Sequence, residues 1–254
     1  MSLRILRQND APVPAVPGDG AVCQVARGCS GCLVRHLAVC AALPVETAHA
    51  MEALADDVRL VAGEPLVREG EARRGVFTVT KGALRRIRLL PDGRRLVAGF
   101  LMPGDFIGFS GSSHYRHSIE AITDSKLCTF SLKSMRELCQ QHPELERELL
   151  ERACVELDTT RDKLMSLARM TPLERLAGFL LDMAARRRRQ GQSDGMVVLP
   201  MTRSDIADYL GLTVETVSRS FTRLRQENII STQDAHHVKL VDSERLHALA
   251  EARN

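Results

Sequence analysis

Two short helical patterns separated by a glycine turn are the feature that most limits what this chain can fold into. Thr202 precedes the first pattern, and Asp205 stands three residues later, as expected at the N-terminus of a helix. Gly211 provides a tight turn, and Thr213 can cap a second helix that extends to about Glu227. Two short helices joined in this way predict a helix-turn-helix, whose second helix enters the major groove of DNA.

The second helix of this pair has one apolar face and one polar face. Val217, Phe221 and Leu224 recur at helical spacing and are expected to face inward. On the polar face, arginine can donate two hydrogen bonds to guanine, glutamate can accept one from cytosine, and serine can bind a base or a phosphate. An alternative is that Glu215 and Arg219 form only a surface ion pair. The predicted DNA-binding residues are Thr213, Glu215, Ser218, Arg219 and Thr222.

A β-wing is predicted directly after the second helix. Residues 228–231 and 237–241 are rich in β-branched and apolar side chains, and they flank the polar pair Gln233-Asp234. The wing, the turn and the two caps together favour a winged helix-turn-helix over an isolated surface ion pair.

The remainder of the chain divides into segments of different character. Prolines and little periodicity predict a flexible N-terminal tail, followed by a cysteine-rich segment with a helix. Short apolar runs between glycines, with Pro91-Asp92-Gly93 as a hairpin signal, predict a β-barrel or jelly roll. A long helix region and the DNA-binding domain follow, so the fold class is α+β. The predicted segments are 1–28, 29–56, 57–131, 132–170 and 171–254.

An apolar stripe marks the long helix between about residues 145 and 169. Its members recur at spacings of three and four, with an arginine interrupting the stripe. The stripe needs a partner surface, which is either the β-domain of the same chain or the same helix of a second subunit, and we favour dimerisation. The predicted dimerisation residues are Leu150, Cys154, Leu157, Arg161, Leu164 and Ala168.

The next helix begins at Pro172, with Thr171 as its cap, and ends at an arginine run over residues 186–189. This run is either a solvated helix end or a contact to DNA phosphates.

Composition limits the class of protein. Hydrophobic residues make up 44% of the 254 residues and charged residues 26%, which is ordinary for a globular protein, and the net charge of +3 permits an acidic polymer as partner. Since no signal sequence or membrane-spanning apolar stretch is visible, we expect a cytoplasmic protein with reduced thiols. No catalytic signature rises above chance, so we expect no enzyme and no catalytic residues.

The cysteines are the second chemical feature. Seven are present, and an odd count in a reducing compartment favours metal or redox chemistry over disulfides. Cys29 and Cys32 form a CxxC motif, and Cys40 follows after seven residues. Three thiolates this close can hold a soft metal or an iron–sulfur cluster, or zinc in a four-cysteine site. A fourth ligand is open between Cys23, Cys128, Cys139 and Cys154, of which the last two are expected to be buried and inert.

The chain resembles the Crp–Fnr family of bacterial transcription regulators, and within it the oxygen-sensing Fnr branch. The resemblance covers nearly the whole chain from about Cys29, and its motifs lie at residues 99–109 and 201–219. It implies an N-terminal β-roll like that of cyclic-nucleotide-binding domains, a long dimerisation helix and a C-terminal winged helix-turn-helix. It also implies that Glu215, Ser218 and Arg219 read TTGAT half-sites in a palindrome resembling TTGAT-N4-ATCAA.

The same resemblance implies a [4Fe–4S] cofactor. Cys29, Cys32 and Cys40 match the family's N-terminal ligand set, with a spacing similar to FnrN/FnrL-type members, and Cys128 falls where the family places its fourth ligand. Cys23 is the substitute candidate. The Arg-Ser pair that binds the phosphate in cyclic-nucleotide binders is broken here, so no nucleotide pocket is expected.

The resemblance therefore implies an oxygen-responsive regulator that binds double-stranded DNA as a homodimer and touches RNA polymerase, and that dissociates to monomers when the cluster is lost. Two rival interpretations remain. The first is a regulator of the same fold that senses a small molecule in the β-roll, or thiol oxidation at Cys29 and Cys32. The second is a redox enzyme that uses the CxxC motif.

Overall fold

The computed structural model describes residues 31–192 and 195–251. Two short 3₁₀ turns, Arg35–Leu37 and Val39–Ala42, precede the first α-helix. The strands are β1 Asp56–Leu60, β2 Pro65–Val67, β3 Gly75–Lys81, β4 Leu84–Leu89, β5 Arg95–Leu101, β6 Phe106–Ile107, β7 Ser118–Ala121, β8 Ser125–Ser131, β9 Met196–Val198, β10 Ile230–Thr232 and β11 His237–Leu240. The helices are α1 Val45–Leu54, α2 Leu132–Gln141, α3 Pro143–Arg169, α4 Pro172–Arg189, α5 Arg203–Leu210, α6 Val214–Gln226 and α7 Ser243–Glu251.

The predicted β-roll is confirmed as two four-stranded antiparallel sheets. Their strand orders are β1-β8-β3-β6 and β2-β7-β4-β5. The hairpin expected at Pro91-Asp92-Gly93 joins β4 to β5, with Gly93 at a φ of 83° that favours glycine. Apolar side chains fill the space between the sheets. They include Leu66, Val79, Leu84, Ile119, Ala121 and Leu127.

The long helix α3 packs one face on the β-roll and leaves another face exposed. Leu145 is completely buried, and Arg86 of β4 donates to Glu156 of α3 at 2.6 Å. The six residues of the predicted stripe are all exposed, so the β-domain of the same chain does not cover them. They are Leu150, Cys154, Leu157, Arg161, Leu164 and Ala168.

The C-terminal domain has the predicted order of helix, helix-turn-helix and wing. Thr171 and Glu174 form a capping box at the start of α4, and Thr202 and Asp205 form another at α5. Gly211 ends α5 in the left-handed conformation, with a φ of 65°. The strands β9, β10 and β11 make the wing sheet, in the order β10-β11-β9. The wing begins at Ile230, two residues later than predicted, because Asn228, at a φ of 54°, lies in the turn that follows α6.

One apolar core crosses from the β-roll to the DNA-binding domain. Phe100 of β5 lies 5.2 Å from the Tyr209 ring and 6.0 Å from the Phe179 ring, measured between centroids. Val97 and Ile87 belong to the same buried cluster as the core of α4, α5 and α6. The two domains are therefore packed together by shared apolar burial.

One sequence-based expectation is wrong. Cys154 was expected to be buried, but it is exposed because the face of α3 that carries it points away from the β-roll. Within the arginine run, Arg188 and Arg189 are exposed, as expected of a solvated helix end, whereas Arg186 is mostly buried and donates to Asp105 at 2.7 Å. None of the described helices is long and apolar enough to cross a membrane.

Candidate nucleic-acid interface

The polar face of α6 is presented to solvent. Val217, Phe221 and Leu224 are buried, as predicted, and they fix the rotation of the helix on its domain. Because these three side chains face the core, Glu215, Ser218 and Arg219 are exposed on the other side.

The start of α6 is held by local hydrogen bonds. The Thr213 hydroxyl accepts from the backbone amide of Thr216 at 3.2 Å, which caps the helix. The backbone amide of Glu215 and the Thr213 hydroxyl hold the pKa of Glu215 below its usual value, and Arg219 acts in the same direction. Glu215 is therefore a carboxylate at neutral pH, as an acceptor for cytosine requires.

A groove of about 440 Å³ lies between α6 and the wing. Ser218 and Thr222 line it from the helix, and Gln233 and Asp234 line it from the wing. Thr222 is half-buried in this groove, so it differs from the three exposed residues of the predicted set. The groove puts polar side chains from both elements beside the reading face.

Arg203 of α5 is a groove residue that sequence reasoning missed. Its guanidinium lies 3.2 Å from the centroid of the Phe221 ring, and its Nη1 is buried without a hydrogen-bond partner in the described structure. Burial and the neighbouring Arg225 lower the pKa of Arg203 to about 10, so the side chain stays cationic at neutral pH. A stacked cation with an unsatisfied donor is well suited to an anionic oxygen of DNA. The sequence places Arg203 at the first position of α5, directly after the cap Thr202. Its stacking on Phe221 depends on the tertiary fold and is not visible in the sequence.

The wing turn is fixed by Asp234. Its carboxylate accepts from the backbone amides of His236 and His237 at 2.7 and 2.8 Å. These bonds, with the His237 ring, lower the pKa of Asp234 to about 2. Asp234 is therefore ionised at neutral pH, as its role of acceptor in this turn requires.

Two of the predicted cluster ligands lie close together. Burial raises the pKa of the half-buried Cys40 thiol, and the neighbouring Cys32 adds to this, while Arg35 and Arg152 act in the opposite direction. Cys128 lies on β8 and packs against the same apolar cluster as Cys40. Cys29 and Cys23 lie outside the described residues.

The donor atoms fit an iron–sulfur cluster in kind, because thiolates are its usual ligands and two arginines lie near Cys40. Within residues 31–192 and 195–251, however, no three His, Cys, Asp or Glu side chains are arranged to hold a metal ion. Cys32, Cys40 and Cys128 therefore do not form a ligand cage by themselves.

Comparison with known proteins supports the same two parts of the chain. Residues 174–249 match the Crp-like helix-turn-helix domain, and residues 57–142 match the cyclic nucleotide-binding domain. The nitrogen fixation regulation protein FixK of Bradyrhizobium diazoefficiens is 38% identical over 88% of this chain and 94% of that protein. The transcriptional activator protein FnrL of Cereibacter sphaeroides is 34% identical over 86% of this chain and 90% of FnrL.

The chain belongs to the Crp/Fnr family.

A solved member of the Crp/Fnr family has the same fold. The structure of FixK2 from Bradyrhizobium japonicum aligns with a TM-score of 0.73 at 35% identity, over 79% of this chain and 99% of FixK2. The helix-turn-helix match and the exposed polar face of α6 make this Crp/Fnr protein a DNA-binding transcription regulator.

The cyclic nucleotide-binding match describes the β-roll of this Crp/Fnr protein, whose core contains a cluster of buried hydrophobic side chains. Tyr115 packs against the core of the roll and donates its hydroxyl to the Gly75 carbonyl at 3.1 Å. Besides this hydrophobic cluster, Thr78 of β3 and Ser125 of β8 are buried in the roll.

Proposed function

We propose that this protein is a dimeric, oxygen-responsive transcription activator that binds TTGAT-N4-ATCAA-like palindromes when it carries a [4Fe–4S] cluster. The observation that carries the proposal is the position of α3. One face of this helix brings Arg152 near Cys40, and another face exposes the apolar stripe. The cysteine segment and the dimerisation surface thus share one helix.

Specific DNA binding is assigned to the polar face of α6. Arg219 donates to guanine O6 and N7, Glu215 accepts from cytosine N4, and Ser218 binds a base or a phosphate. Thr213 and Thr222 lie at the edges of this face and bind phosphates. Arg203 adds a phosphate contact through its free Nη1.

Dimerisation is assigned to the exposed stripe of α3. Leu157 and Leu164 are 50% and 63% exposed, which is unusual for side chains in a regular apolar row. Pairing the stripes of two copies about a two-fold axis buries these side chains. We call the helix-turn-helix formed by α5 and α6 the reader. The readers of the two copies then face half-sites about one turn of DNA apart, which suits a palindrome.

Oxygen response is assigned to Cys29, Cys32, Cys40 and Cys128. When bound, a cluster of this kind supplies a centre that oxygen can oxidise. The residues of this chain provide the connection: the turn Val39–Ala42, which carries Cys40, packs against α3, and Arg152 donates to the Gly104 carbonyl at 3.4 Å. A change in how the cysteine segment packs therefore acts on the helix that carries the stripe. Contacts of the bound dimer with RNA polymerase would then increase transcription.

Anaerobic iron and sulfide analysis tests the cluster most directly. The wild-type protein purified without oxygen is expected to be brown, with about four irons and four sulfides per chain. Cys128→Ala is expected to lose the colour and most of the iron. Cys139→Ala is the matched control, because Cys139 is a half-buried cysteine of α2 outside the proposed ligand set, and it is expected to keep the cluster. A colourless wild-type protein would exclude the cluster.

A thiol-based sensor is the second candidate, and the proximity of Cys32 to Cys40 favours it. Oxidised protein would then contain an internal disulfide without iron, detectable by thiol titration and mass spectrometry before and after reduction. Binding of the palindrome that depends on the thiol state but not on iron would support this candidate over the cluster.

A further inference from the structure

Four charged side chains connect the β-roll to the helix-turn-helix. Arg85 of β4 donates from Nη1 to Asp205 Oδ1 at 2.8 Å, and Arg95 of β5 donates from Nη2 to the same oxygen at 2.9 Å. Arg95 also contacts Asp208 one turn further along α5, with an N–O distance of 2.7 Å. We call Arg85, Arg95, Asp205 and Asp208 the interdomain ion cluster.

Asp205 is the centre of this cluster, and its side chain is 0% exposed. Its second oxygen, Oδ2, accepts from the Thr202 amide at 3.0 Å and from the Thr202 hydroxyl at 2.8 Å. Burial alone would raise the pKa of Asp205, but the Thr202 bonds and the charges of Arg85 and Arg95 lower it, so the carboxylate stays ionised. One carboxylate therefore caps the first helix of the reader and binds the β-roll.

Neighbouring contacts fix the same orientation. Lys163 of α3 places Nζ 3.5 Å from the centroid of the Tyr209 ring, and Tyr209 also packs on Phe100 of β5. Arg186 at the end of α4 pairs with Asp105 of the β-roll. Contacts at the β4–β5 hairpin and at the end of α4 together oppose rotation of the reader about any single point.

The reading face points away from all of these contacts. Glu215, Ser218 and Arg219 are exposed on α6, whereas the interdomain ion cluster lies on α5 against the β-roll. The cluster therefore holds α5 against the β-roll without covering the exposed face of α6. In a two-fold dimer, the direction of each reader determines the distance between the two recognition helices.

We propose that the interdomain ion cluster is a positioning device that sets which half-site spacing the dimer accepts. The proposal rests on the proposed function, because spacing has meaning only for a dimer on a palindrome. With the cluster intact, both readers meet their half-sites at one separation. With the cluster weakened, each reader gains freedom, so the advantage of the matching spacing decreases.

The test compares full-length Arg95→Gln with wild type under anaerobic conditions on four duplexes. These carry the palindrome with its N4 spacer, the same half-sites with the spacer shortened or lengthened by one base pair, and a single half-site. Wild type is expected to prefer the N4 duplex strongly. Because Arg85 still pairs with Asp205, Arg95→Gln is expected to bind that duplex several-fold more weakly, to show a smaller spacing preference, and to bind the single half-site as wild type does.

Arg94→Gln is the matched control on the same hairpin. Arg94 is 76% exposed and pairs only with Asp92 among the described residues, so its loss removes the same charge without touching the reader. It is expected to keep the wild-type spacing preference. Arg95→Lys, which retains a cation beside Asp208, is expected to keep most of it.

An unchanged spacing preference in Arg95→Gln would overturn the proposal. So would an equal loss on all four duplexes, which indicates general damage to the reader. Thermal melting and size determination of Arg95→Gln separate unfolding and loss of the dimer from loss of orientation. Failure of the proposed function is distinguishable, because wild type itself would then show no preference for the N4 duplex, and the positioning role would fail with it.

Discussion

At the scale of single residues, two arginines near the groove have different proposed DNA contacts. Arg219 is exposed on the face that reads bases, whereas Arg203 is stacked on Phe221 with one donor left unsatisfied. A bidentate base contact discriminates between sequences, but a phosphate contact does not. Substitutions of Arg219 and Arg203 should therefore differ in their effect on sequence preference, even where both lower the affinity for DNA.

Arg219→Ala is expected to weaken binding of the palindrome by about 1–3 kcal/mol and to relax the preference at the base pair that Arg219 contacts. Fluorescence anisotropy with each half-site position substituted in turn measures both effects. Arg245→Ala, an exposed arginine of the same domain on α7, is the control and should bind as wild type does. Equal weakening on all sequences would contradict a base-reading role.

Arg203→Gln provides the opposite pattern. It is expected to weaken binding uniformly across sequences and to reduce the slope of log K against log salt by about one, because one phosphate contact is lost. A salt series with specific and scrambled duplexes measures this slope. A change in base preference without a change in slope would be inconsistent with a phosphate contact.

Lys163 should produce a pH-dependent stability. Burial, and then the charge of Arg86, lowers the pKa of Lys163 to about 8, below its ordinary value of 10.5. Between about pH 8 and 10.5 the unfolded chain binds more protons at this lysine than the folded chain, so its contribution to stability rises with pH across that window. The contact with the Tyr209 ring and the bond to the Ala98 carbonyl favour the charged form, so we expect a rise of only about 1–2 kcal/mol.

Denaturant unfolding of wild type and Lys163→Met at pH 8 and at pH 10 measures this contribution. The difference between the two proteins isolates Lys163 from other groups that titrate in the same range. A rise of the same size in both proteins would show that Lys163 is not its source.

At the scale of elements, different faces of the helix α3 make three different kinds of contact. Leu145 and Glu156 face the β-roll, Lys163 contacts Tyr209 of α5, and the exposed stripe is the proposed dimerisation surface. Arg161, in the middle of the stripe, pairs with Asp158 at 3.0 Å along its own helix. In the proposed dimer, a charge in an otherwise apolar seam would lower the stability of pairing, which suits a dimer that dissociates in response to a signal.

Leu157→Glu is expected to convert the anaerobic dimer to monomer and to lower affinity for the palindrome at least about ten-fold, because two like charges would meet in the seam. Sedimentation velocity measures the assembly, and anisotropy measures the affinity. Val155→Glu is the matched control, since Val155 is also an exposed apolar residue of α3 but lies on another face of the helix. Equal effects of both variants would exclude the stripe as the seam.

At the scale of the whole molecule, the cysteine segment, the dimer helix and the reader are connected in series. The turn that carries Cys40 packs on α3, and Arg175 of α4 donates to the carbonyls of Leu167 on α3 and Leu210 on α5, at 2.9 and 3.1 Å. The end of α3 is thereby connected to the end of α5, the first helix of the helix-turn-helix. A change in the packing of the cysteine segment can reach DNA binding through assembly, through orientation, or through both.

Air exposure is expected to shift the protein from dimer to monomer and to reduce binding of the palindrome. Size-exclusion chromatography with light scattering, without oxygen and after exposure to air, measures the shift. Leu157→Glu is the reference for a monomer in both conditions. Identical masses in both states would leave a constitutive dimer and would remove assembly as the switch.

Local sequence determined the reader almost completely. The capping boxes, the glycine turn and the apolar period of α5 and α6 act within one or two helical turns, so residues 202–227 predict their own structure. The same holds for the β4–β5 hairpin and for the start of α4 at Pro172. The positions of the dimerisation stripe could also be read from spacing, although its partner could not.

Only the tertiary structure decided which distant groups meet. Arg85 and Asp205 are 120 residues apart, and neither the hairpin nor the capping box alone indicates that one carboxylate serves both. The sequence did not indicate that Arg186, among the four arginines of residues 186–189, pairs with Asp105. It also did not indicate that Arg203 stacks on Phe221, because both contacts depend on how the helices and strands pack together. Local hydrogen bonds and apolar periodicity therefore determine the structure of the reader. Long-range packing and buried charge determine how the reader is oriented on the β-roll.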